Sequence, residues 1–120
     1  MDAAGVNRWL DRYIAAWRSG DRAEIADLFS ADARYRYHSY DEPVVGREAI
    51  ADDWLKEPDD PGSWEAEYTC YAVEGDRAAA VGTSTYPHEG HAYDNVFLLR
   101  FDGEGRCTDF TEWYARRPES

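Results

Sequence analysis

The sequence is poor in cysteine, in basic residues and in long apolar runs. Its 120 residues include two cysteines, Cys70 and Cys107, and neither has the neighbouring residues or spacing of a zinc site or a disulfide framework. Lys and Arg number 13 against 25 Asp and Glu, which gives a formal net charge of −12. Because binding to phosphate groups needs clustered basic side chains, we expect neither nucleic acid nor an anionic membrane as a partner.

The motifs of several enzyme classes are also missing. No glycine-rich phosphate loop is present, so a nucleotide cofactor is not indicated. No serine or cysteine stands in the sequence setting of an activated nucleophile. We therefore predict a protein that works without a cofactor.

Secretion and membrane signals are absent as well. The N-terminal MDAAGVNRW has an acidic residue where a signal peptide is basic, and no window approaches the roughly 18 apolar residues of a membrane span. We expect a soluble, cytoplasmic protein. The length fits one domain over 1–120, with an ordered core of about 5–117.

Aromatic residues, in contrast, are abundant. They make up 15% of the chain and include five Trp and nine Tyr. This is more amphipathic aromatic surface than a small core requires, and it is typical of a lined pocket or an interface.

The first half of the chain has the periodicity of helices. Apolar residues recur at spacings of three and four over 6–17, which predicts a helix with one buried stripe that ends at Gly20. Asp21 followed by Glu24 resembles a capping box and predicts a second helix that reaches residue 29.

A short strand and a third helix follow. The segment ARYRYHSY at 33–40 alternates as a strand with one polar face. A turn is predicted over 43–46, and a helix over 47–56 that stops before a proline. We expect the next segment, EPDDPGS at 57–63, to be a mobile loop and the tail from Pro118 to fray.

From Trp64 onward the pattern alternates with a period of two. Three turn sequences, EGD at 74–76, PHEG at 87–90 and DGEG at 102–105, divide this half into four strands of about ten residues. Consecutive hairpins form an antiparallel meander, and helices followed by such a sheet make an α+β domain.

Alternation also assigns the side chains of the last two strands to faces. Both faces carry large apolar side chains, so both need a partner. We interpret one face as a pocket and the other, which contains Val96 and Leu98, as the surface of a homodimer. The predicted pocket face consists of His91, Tyr93, Asn95, Phe97 and Leu99 on one strand and Thr108, Phe110, Glu112 and Tyr114 on the next.

Several segments resemble a known family. RYIAAWRSGD in the first helices, FSADARY, VVGREAI and RFDGEGR resemble the nuclear transport factor two-like superfamily, more narrowly its SnoaL-like and ketosteroid isomerase-like members. The resemblance covers nearly the whole chain and implies a cone-shaped, curved antiparallel sheet (meander) closed by three N-terminal helices, with a deep pocket and commonly a dimer. It implies no single function, because this fold hosts isomerases, cyclases, hydrolases, dehydratases, binding modules and transport adaptors.

A residue-by-residue match to ketosteroid isomerases preserves one of three roles. Tyr13 stands where their oxyanion-binding tyrosine lies, although its place on the helix stripe fits a core residue equally well. Their catalytic aspartate falls on Tyr37, and their protonated aspartate falls on Phe97. We therefore expect no ketosteroid isomerisation.

Glu112 and Asn95 are the polar groups on the predicted pocket face. Loss of hydration there would raise the pKa of Glu112 and make it a usable general base, unless it reaches water or pairs with Arg116 or Arg117. Asn95 could orient a carbonyl or hydroxyl group, or make a structural hydrogen bond. The Tyr-x-Asn pattern at 93–95 resembles one in SnoaL-like proteins.

The three histidines have no defined role in the sequence. His88 falls in a turn, and His91 begins a strand, at the rim of the pocket if it enters the site. His38 shares the parity of Arg36, which points it outward unless a bulge shifts the register. No motif of fixed ligand spacing includes these histidines, and we predict no metal site.

We predict a small-molecule pocket protein, and within that class an enzyme of proton transfer that acts as an isomerase, cyclase or dehydratase on an apolar oxygenated substrate. Glu112 would move the proton, while Tyr13 and Asn95 would hold the substrate oxygen. The alternatives are a non-catalytic protein that binds a small apolar or aromatic ligand, and a structural homodimer without a ligand. The predicted substrate-binding residues are Trp17, Tyr35, Tyr37, Trp54, Tyr68, Tyr93, Phe97, Phe110 and Tyr114.

Overall fold

A computed structural model describes residues 1–56, 60 and 62–118. Three helices precede most of a six-stranded sheet, so the predicted α+β class is confirmed. The predicted loop at 57–63 and the tail after Pro118 lie largely outside the described residues. The elements are α1 (Ala3–Ser19), α2 (Arg22–Asp27), β1 (Phe29–Arg36), β2 (Val44–Val45), α3 (Arg47–Lys56), β3 (Glu65–Glu74), β4 (Arg77–Tyr86), β5 (His91–Phe101) and β6 (Cys107–Arg116).

Helix boundaries follow from capping residues. Gly20 takes the left-handed conformation, with φ of 63°, and its N–H donates to the Ala16 carbonyl at 3.0 Å, which ends α1. The Asp21 carboxylate accepts a hydrogen bond from the Glu24 N–H at 3.1 Å and caps α2. The Glu24 carboxylate does not return to the Asp21 N–H but accepts a hydrogen bond from the Ser19 hydroxyl at 2.9 Å.

The second helix and the first strand differ from their predicted bounds. α2 ends at Asp27, and Phe29 already begins β1, which ends at Arg36. The cause is a contact that is distant in sequence, because the Leu28 carbonyl accepts a hydrogen bond from the Cys107 N–H at 2.9 Å. This bond draws the chain out of the helix and into the sheet beside β6.

The sheet has the strand order β2-β1-β6-β5-β4-β3. Strands β3 to β6 form the predicted antiparallel meander. The prediction of a purely antiparallel sheet was wrong for β1, which runs parallel to β6 and pairs on its other side with the two-residue β2. No hairpin joins β1 to β6, so no tight turn dictates that they run in opposite directions.

Irregular pairing curves the sheet. The registers of β1 with β6, β3 with β4 and β5 with β6 each contain a shift, and a bulged strand bends and twists more than a regular one. In β6 the shift leaves Thr108 unpaired while Cys107 lies opposite Phe101. Cys107 is therefore buried in the core, and simple alternation assigned Thr108 rather than Cys107 to that face.

The aromatic stripe of α1 supplies the centre of the core, as predicted. Trp9 is 2% exposed, and its indole N–H donates to the Leu28 carbonyl at 3.0 Å. Its ring centre lies 5.5 Å from that of Tyr13 and 5.6 Å from that of Phe101. Trp17 is only partly buried and stacks on Trp64, which lies just before β3.

None of the helices in the described part of the chain is long and apolar enough to cross a membrane.

We expect Trp9→Ala to lower the free energy of unfolding by about 3–5 kcal/mol, as is usual when a large buried aromatic side chain is removed. Trp17→Ala should cost less, because the Trp17 ring is already partly exposed in the folded protein. Urea unfolding followed by circular dichroism measures both changes. A larger loss for Trp17→Ala than for Trp9→Ala would contradict this account of the core.

Candidate functional site

A cavity of about 240 Å³ lies between the helices and the inner face of the sheet. It is larger than the roughly 150 Å³ apolar cavity that accepts benzene in an engineered protein. A ligand with one ring and a few further atoms therefore fits. The lining residues are Tyr13, Ala16, Trp17, Gly20, Ile25, Tyr35, Tyr37, Asp53, Trp54, Leu55, Tyr68, Ser84, Tyr86 and Glu112.

Glu112 borders the cavity from β6, opposite Phe97 of β5. Burial raises the pKa of its carboxyl group above the ordinary value of 4.5, while a hydrogen bond from Asn95 and the charge of His38 act in the opposite direction. The alternative that Glu112 pairs with an arginine is not what the structure shows. Arg117 instead binds Asp94 at 2.6 Å.

Asn95 holds the Glu112 carboxylate in place. The residue is 5% exposed, and its side-chain N–H donates to Glu112 Oε2 at 2.7 Å. Its side-chain oxygen accepts a hydrogen bond from the Ser84 hydroxyl at 3.0 Å. A chain of hydrogen bonds thus crosses β4, β5 and β6, and Asn95 is engaged at both ends by protein groups, as a positioning residue would be.

Tyr13 and Tyr35 form a pair of buried phenols whose hydroxyl oxygens lie 3.2 Å apart. Burial raises the pKa of both groups well above the ordinary value of 10.0. For Tyr13, the next largest cause is the negative charge of Glu112. Because the pair has two hydroxyl hydrogens and one lies between the two oxygens, the second hydrogen can be donated to a ligand.

Trp54, Tyr37 and Tyr68 form further aromatic parts of the cavity wall. Trp54 of α3 meets Tyr13 edge-on, with ring centres 5.2 Å apart. Burial, followed by a hydrogen bond to Asp53, raises the pKa of Tyr37. Burial, followed by the charge of Glu112, raises the pKa of Tyr68.

Gly82 makes room for Tyr68 over the sheet. A Cβ atom at Gly82 would lie 1.9 Å from the Glu67 carbonyl oxygen and 2.5 Å from the Tyr68 ring. Any side chain there would push β3 away from β4 or displace the ring. The absence of a side chain at Gly82 therefore allows the Tyr68 ring to pack closely on β4, where it forms part of the cavity wall.

The structure divides the predicted substrate-binding residues into three groups. Phe97 and Phe110 are about 1% and 0% exposed and belong to the core beneath Tyr13, so they do not line the cavity. Tyr93 and Tyr114 lie further along their strands, around a second cavity. The residues that do line the first cavity are Trp17, Tyr35, Tyr37, Trp54 and Tyr68, together with Tyr13 and Glu112 from the predicted catalytic set.

The second cavity adjoins the first and has a volume of about 210 Å³. Both cavities are lined by Ser84, Tyr86 and Glu112. Glu112 thus borders two neighbouring cavities. The first is aromatic and is lined by helices and strands, and the second is lined by strands β4, β5 and β6 and by Glu89. The second cavity is lined by Ser84, Tyr86, Glu89, Tyr93, Asn95, Glu112 and Tyr114.

His38 lies beside this second cavity, which alternation did not predict. Its Nδ1 is 2.9 Å from Asp41 Oδ2, and its Nε2 is 2.9 Å from the Tyr114 hydroxyl oxygen. Because a carboxylate only accepts, Nδ1 carries the donated hydrogen and Nε2 accepts from the phenol in the neutral ring. β1 ends at Arg36, so strand parity does not extend to His38.

Sequence reasoning missed seven residues that line the first cavity, of which Asp53, Ser84 and Tyr86 have polar side-chain groups. Ser84 and Tyr86 share the inward parity of Ala80 on β4, and pairing that strand with β5 would have identified them. Asp53 directly precedes Trp54 on α3, and no sequence pattern identified it as a residue that lines the cavity. Within residues 1–56, 60 and 62–118, no group of three or more His, Cys, Asp or Glu side chains could hold a metal ion.

Comparison with known proteins places the chain in a family. The SnoaL-like domain family matches residues 10–110. A solved structure, an NTF-2 like protein of unknown function from Burkholderia xenovorans LB400, is similar with a TM-score of 0.75 and 20% identity, over 98% of this chain and 88% of the other. No curated protein matches the sequence. The fold is that of NTF2-like proteins, and the chain belongs to the SnoaL-like domain family.

Proposed function

We propose that the protein is a cofactor-independent enzyme of proton transfer that acts on a small, apolar, oxygenated molecule. The observation that supports this most is the Glu112 carboxylate, which is partly buried in the wall of an aromatic cavity and accepts a hydrogen bond from Asn95 at 2.7 Å. A carboxyl group with a raised pKa is matched to proton transfer near neutral pH.

The geometry supports the following step. The Glu112 carboxylate takes a proton from a carbon next to the carbonyl group of the substrate, and the electron pair of that C–H bond forms an enolate. The free hydroxyl hydrogen of the Tyr13–Tyr35 pair is donated to the enolate oxygen as its negative charge develops. Where the substrate also has a β,γ double bond, this intermediate is a dienolate, and Glu112 returns the proton to its γ carbon, which moves the double bond into conjugation with the carbonyl group and restores the carboxylate.

Asn95 contributes indirectly in this scheme. Its amide keeps the Glu112 carboxylate at the boundary of the two cavities, and Ser84 fixes the amide in turn. We assign the substrate oxygen to the Tyr13–Tyr35 pair, because the Asn95 side chain already binds protein groups at both ends.

Proton exchange in deuterated water tests the proposal. Ring ketones incubated with the protein should lose their α-proton NMR signals about 10²–10⁴ times faster than with Glu112→Gln, the usual range for one general base. Glu67→Gln is the matched control, because Glu67 is an exposed glutamate on β3. It should exchange at the rate of the unchanged protein. Ketones that bind but exchange equally slowly with all three proteins would favour the non-catalytic binding function.

Stability should depend on pH through Glu112. A raised carboxyl pKa means that the folded chain binds this proton more tightly than the unfolded chain, whose value is near 4.5. The contribution of this carboxyl group to the stability of the fold is fully present below the pKa of the unfolded chain. It is lost as the pH rises from there through the higher pKa of the folded chain. The titratable groups that interact with the Glu112 carboxyl group are His38, Tyr13, Tyr35, Tyr37, Tyr68 and Tyr114.

We expect Glu112→Gln to be as stable as the unchanged protein at pH 4 and equally or more stable at pH 7, because the amide has no charge to bury. Urea unfolding at both pH values measures the difference, with Glu67→Gln as the control that should show no such gain. A Glu112→Gln variant that is less stable at pH 7 than at pH 4, relative to the unchanged protein, would contradict the burial of the carboxyl group.

We further propose that two chains associate through the outer face of the sheet. Val96, Leu98 and Trp113 are 37%, 47% and 51% exposed on adjacent strands, and Val96 lies directly opposite Trp113. An apolar face of this kind is unfavourable in water and is typical of an association surface.

Sedimentation equilibrium should therefore give about twice the chain mass of 13.8 kDa. Leu98→Lys should shift the mass to that of one chain, because it places a charge in the apolar face. Val45→Lys is the control, since Val45 is also an exposed aliphatic residue, at 53%, but lies on the edge strand β2. A monomeric unchanged protein, or equal masses for the two variants, would exclude this interface.

A further inference from the structure

The charge around the first cavity is of one sign. Its lining includes two carboxylates, Glu112 and Asp53, and among the described residues it includes no Lys, Arg or His. The charge of Glu112 acts on the buried phenols Tyr13 and Tyr68, and the charge of Asp53 acts on Tyr37. An anionic ligand would meet repulsion here without a compensating cation.

Three basic residues close in sequence to lining residues are paired with acids or with a ring that do not line the cavity. Arg22 binds Glu48 at 2.9 Å and Asp52 at 2.6 Å. The Arg18 guanidinium lies 5.1 Å from the centre of the Trp64 ring. His38 sits next to the Asp41 carboxylate, so that pair presents no net positive charge to a ligand.

The walls also have the chemistry that attracts a cation. Seven of the lining residues are aromatic, and ring faces and phenol oxygens are the electron-rich surfaces that bind ammonium groups. One face of Trp17 is covered by Trp64 at 3.5 Å, so the other face or the ring edge borders the cavity. The aromatic lining residues are Tyr13, Trp17, Tyr35, Tyr37, Trp54, Tyr68 and Tyr86.

A positive charge on the ligand would also suit the chemistry proposed above. When Glu112 removes a proton from a neutral substrate, the negative charge passes to the substrate oxygen within a cavity that still contains the Asp53 carboxylate at its wall. An ammonium group on the same molecule would stabilise that developing charge, because opposite charges attract strongly where water is excluded.

We propose that the ligand of this cavity is a cation, a protonated or quaternary amine on an apolar, oxygen-bearing frame of about one ring. The inference rests on the cavity being the ligand site, as in the proposed function, and adds the charge of the ligand. The carboxylates of Glu112, on the sheet side of the cavity, and of Asp53, on α3, attract the ammonium group, while the aromatic rings surround the apolar part.

Three probes with one frame test the charge directly. At pH 7, 2-phenylethylamine is a cation, 2-phenylethanol is neutral and phenylacetate is an anion. Calorimetric titration at about 0.5 M salt suppresses attraction to the net charge of the chain, because the screening length is then only a few ångströms. We expect the amine to bind at least about tenfold more tightly than the alcohol, and phenylacetate to bind more weakly than both.

Matched variants assign the preference to the cavity. Glu112→Gln and Asp53→Asn should each reduce the ratio of amine to alcohol affinity, and Asp53→Asn should reduce it less because Asp53 is exposed. Glu67→Gln changes the net charge of the chain by the same amount and should leave the ratio unchanged. If the ratio falls equally in the Glu67→Gln variant, the net charge of the chain and not the cavity causes the preference for the amine. That result would overturn the proposal.

Failure of this proposal differs from failure of the enzymatic one. Alcohol or phenylacetate binding as tightly as the amine would overturn the cationic ligand, while proton exchange that depends on Glu112 would still support the enzyme. Amine preference without any proton exchange would uphold the cationic ligand and reject the enzyme. If none of the three probes binds to folded protein, the cavity is not a site for ligands of this size and the proposal falls.

Discussion

The packing of the Phe110 ring is the interaction on which both the helices and the sheet depend. It lies nearly parallel to the Tyr35 ring, with centres 4.3 Å apart, and at 14° to the Tyr13 ring, 5.6 Å away. These contacts join β6 to β1 on one side and to α1 on the other. One fully buried side chain of the meander thus contacts both the parallel strand and the first helix, and two of its ring neighbours, Tyr13 and Tyr35, line the cavity.

A polar site that is partly buried in the wall of such a cavity is stabilised when its groups form hydrogen bonds with one another. The Ser84, Asn95 and Glu112 chain does this across three strands. The same burial that requires the hydrogen bonds raises the pKa of Glu112. The reactivity and the preference for a cationic ligand that we propose would thus have a common origin, an aromatic cavity that contains a partly buried carboxyl group.

Local pattern was sufficient wherever a strand and its hairpin neighbour were regular. Alternation placed Asn95 and Glu112 on the inner face, and the structure agrees because β5 and β6 keep their register between Tyr93 and Arg100. Alternation did not reveal that Asn95 binds Glu112 instead of remaining free for a substrate. That contact is diagonal between strands, and it depends on the rotation of both side chains, which no periodicity records.

The sequence by itself determined the helices, the four-strand meander and the inward face that carries Glu112, because turn residues, caps and periodicity act over a few neighbours. Only the tertiary structure decided the parallel pairing of β1 with β6, the bulge that buries Cys107, and the position of His38 beside Tyr114. The parallel pairing and the position of His38 depend on contacts between segments more than 70 residues apart, such as His38 and Tyr114, which are separated by 76 positions. Contacts between residues so far apart in sequence are specified by the packing of the whole fold. They cannot be predicted from local sequence patterns.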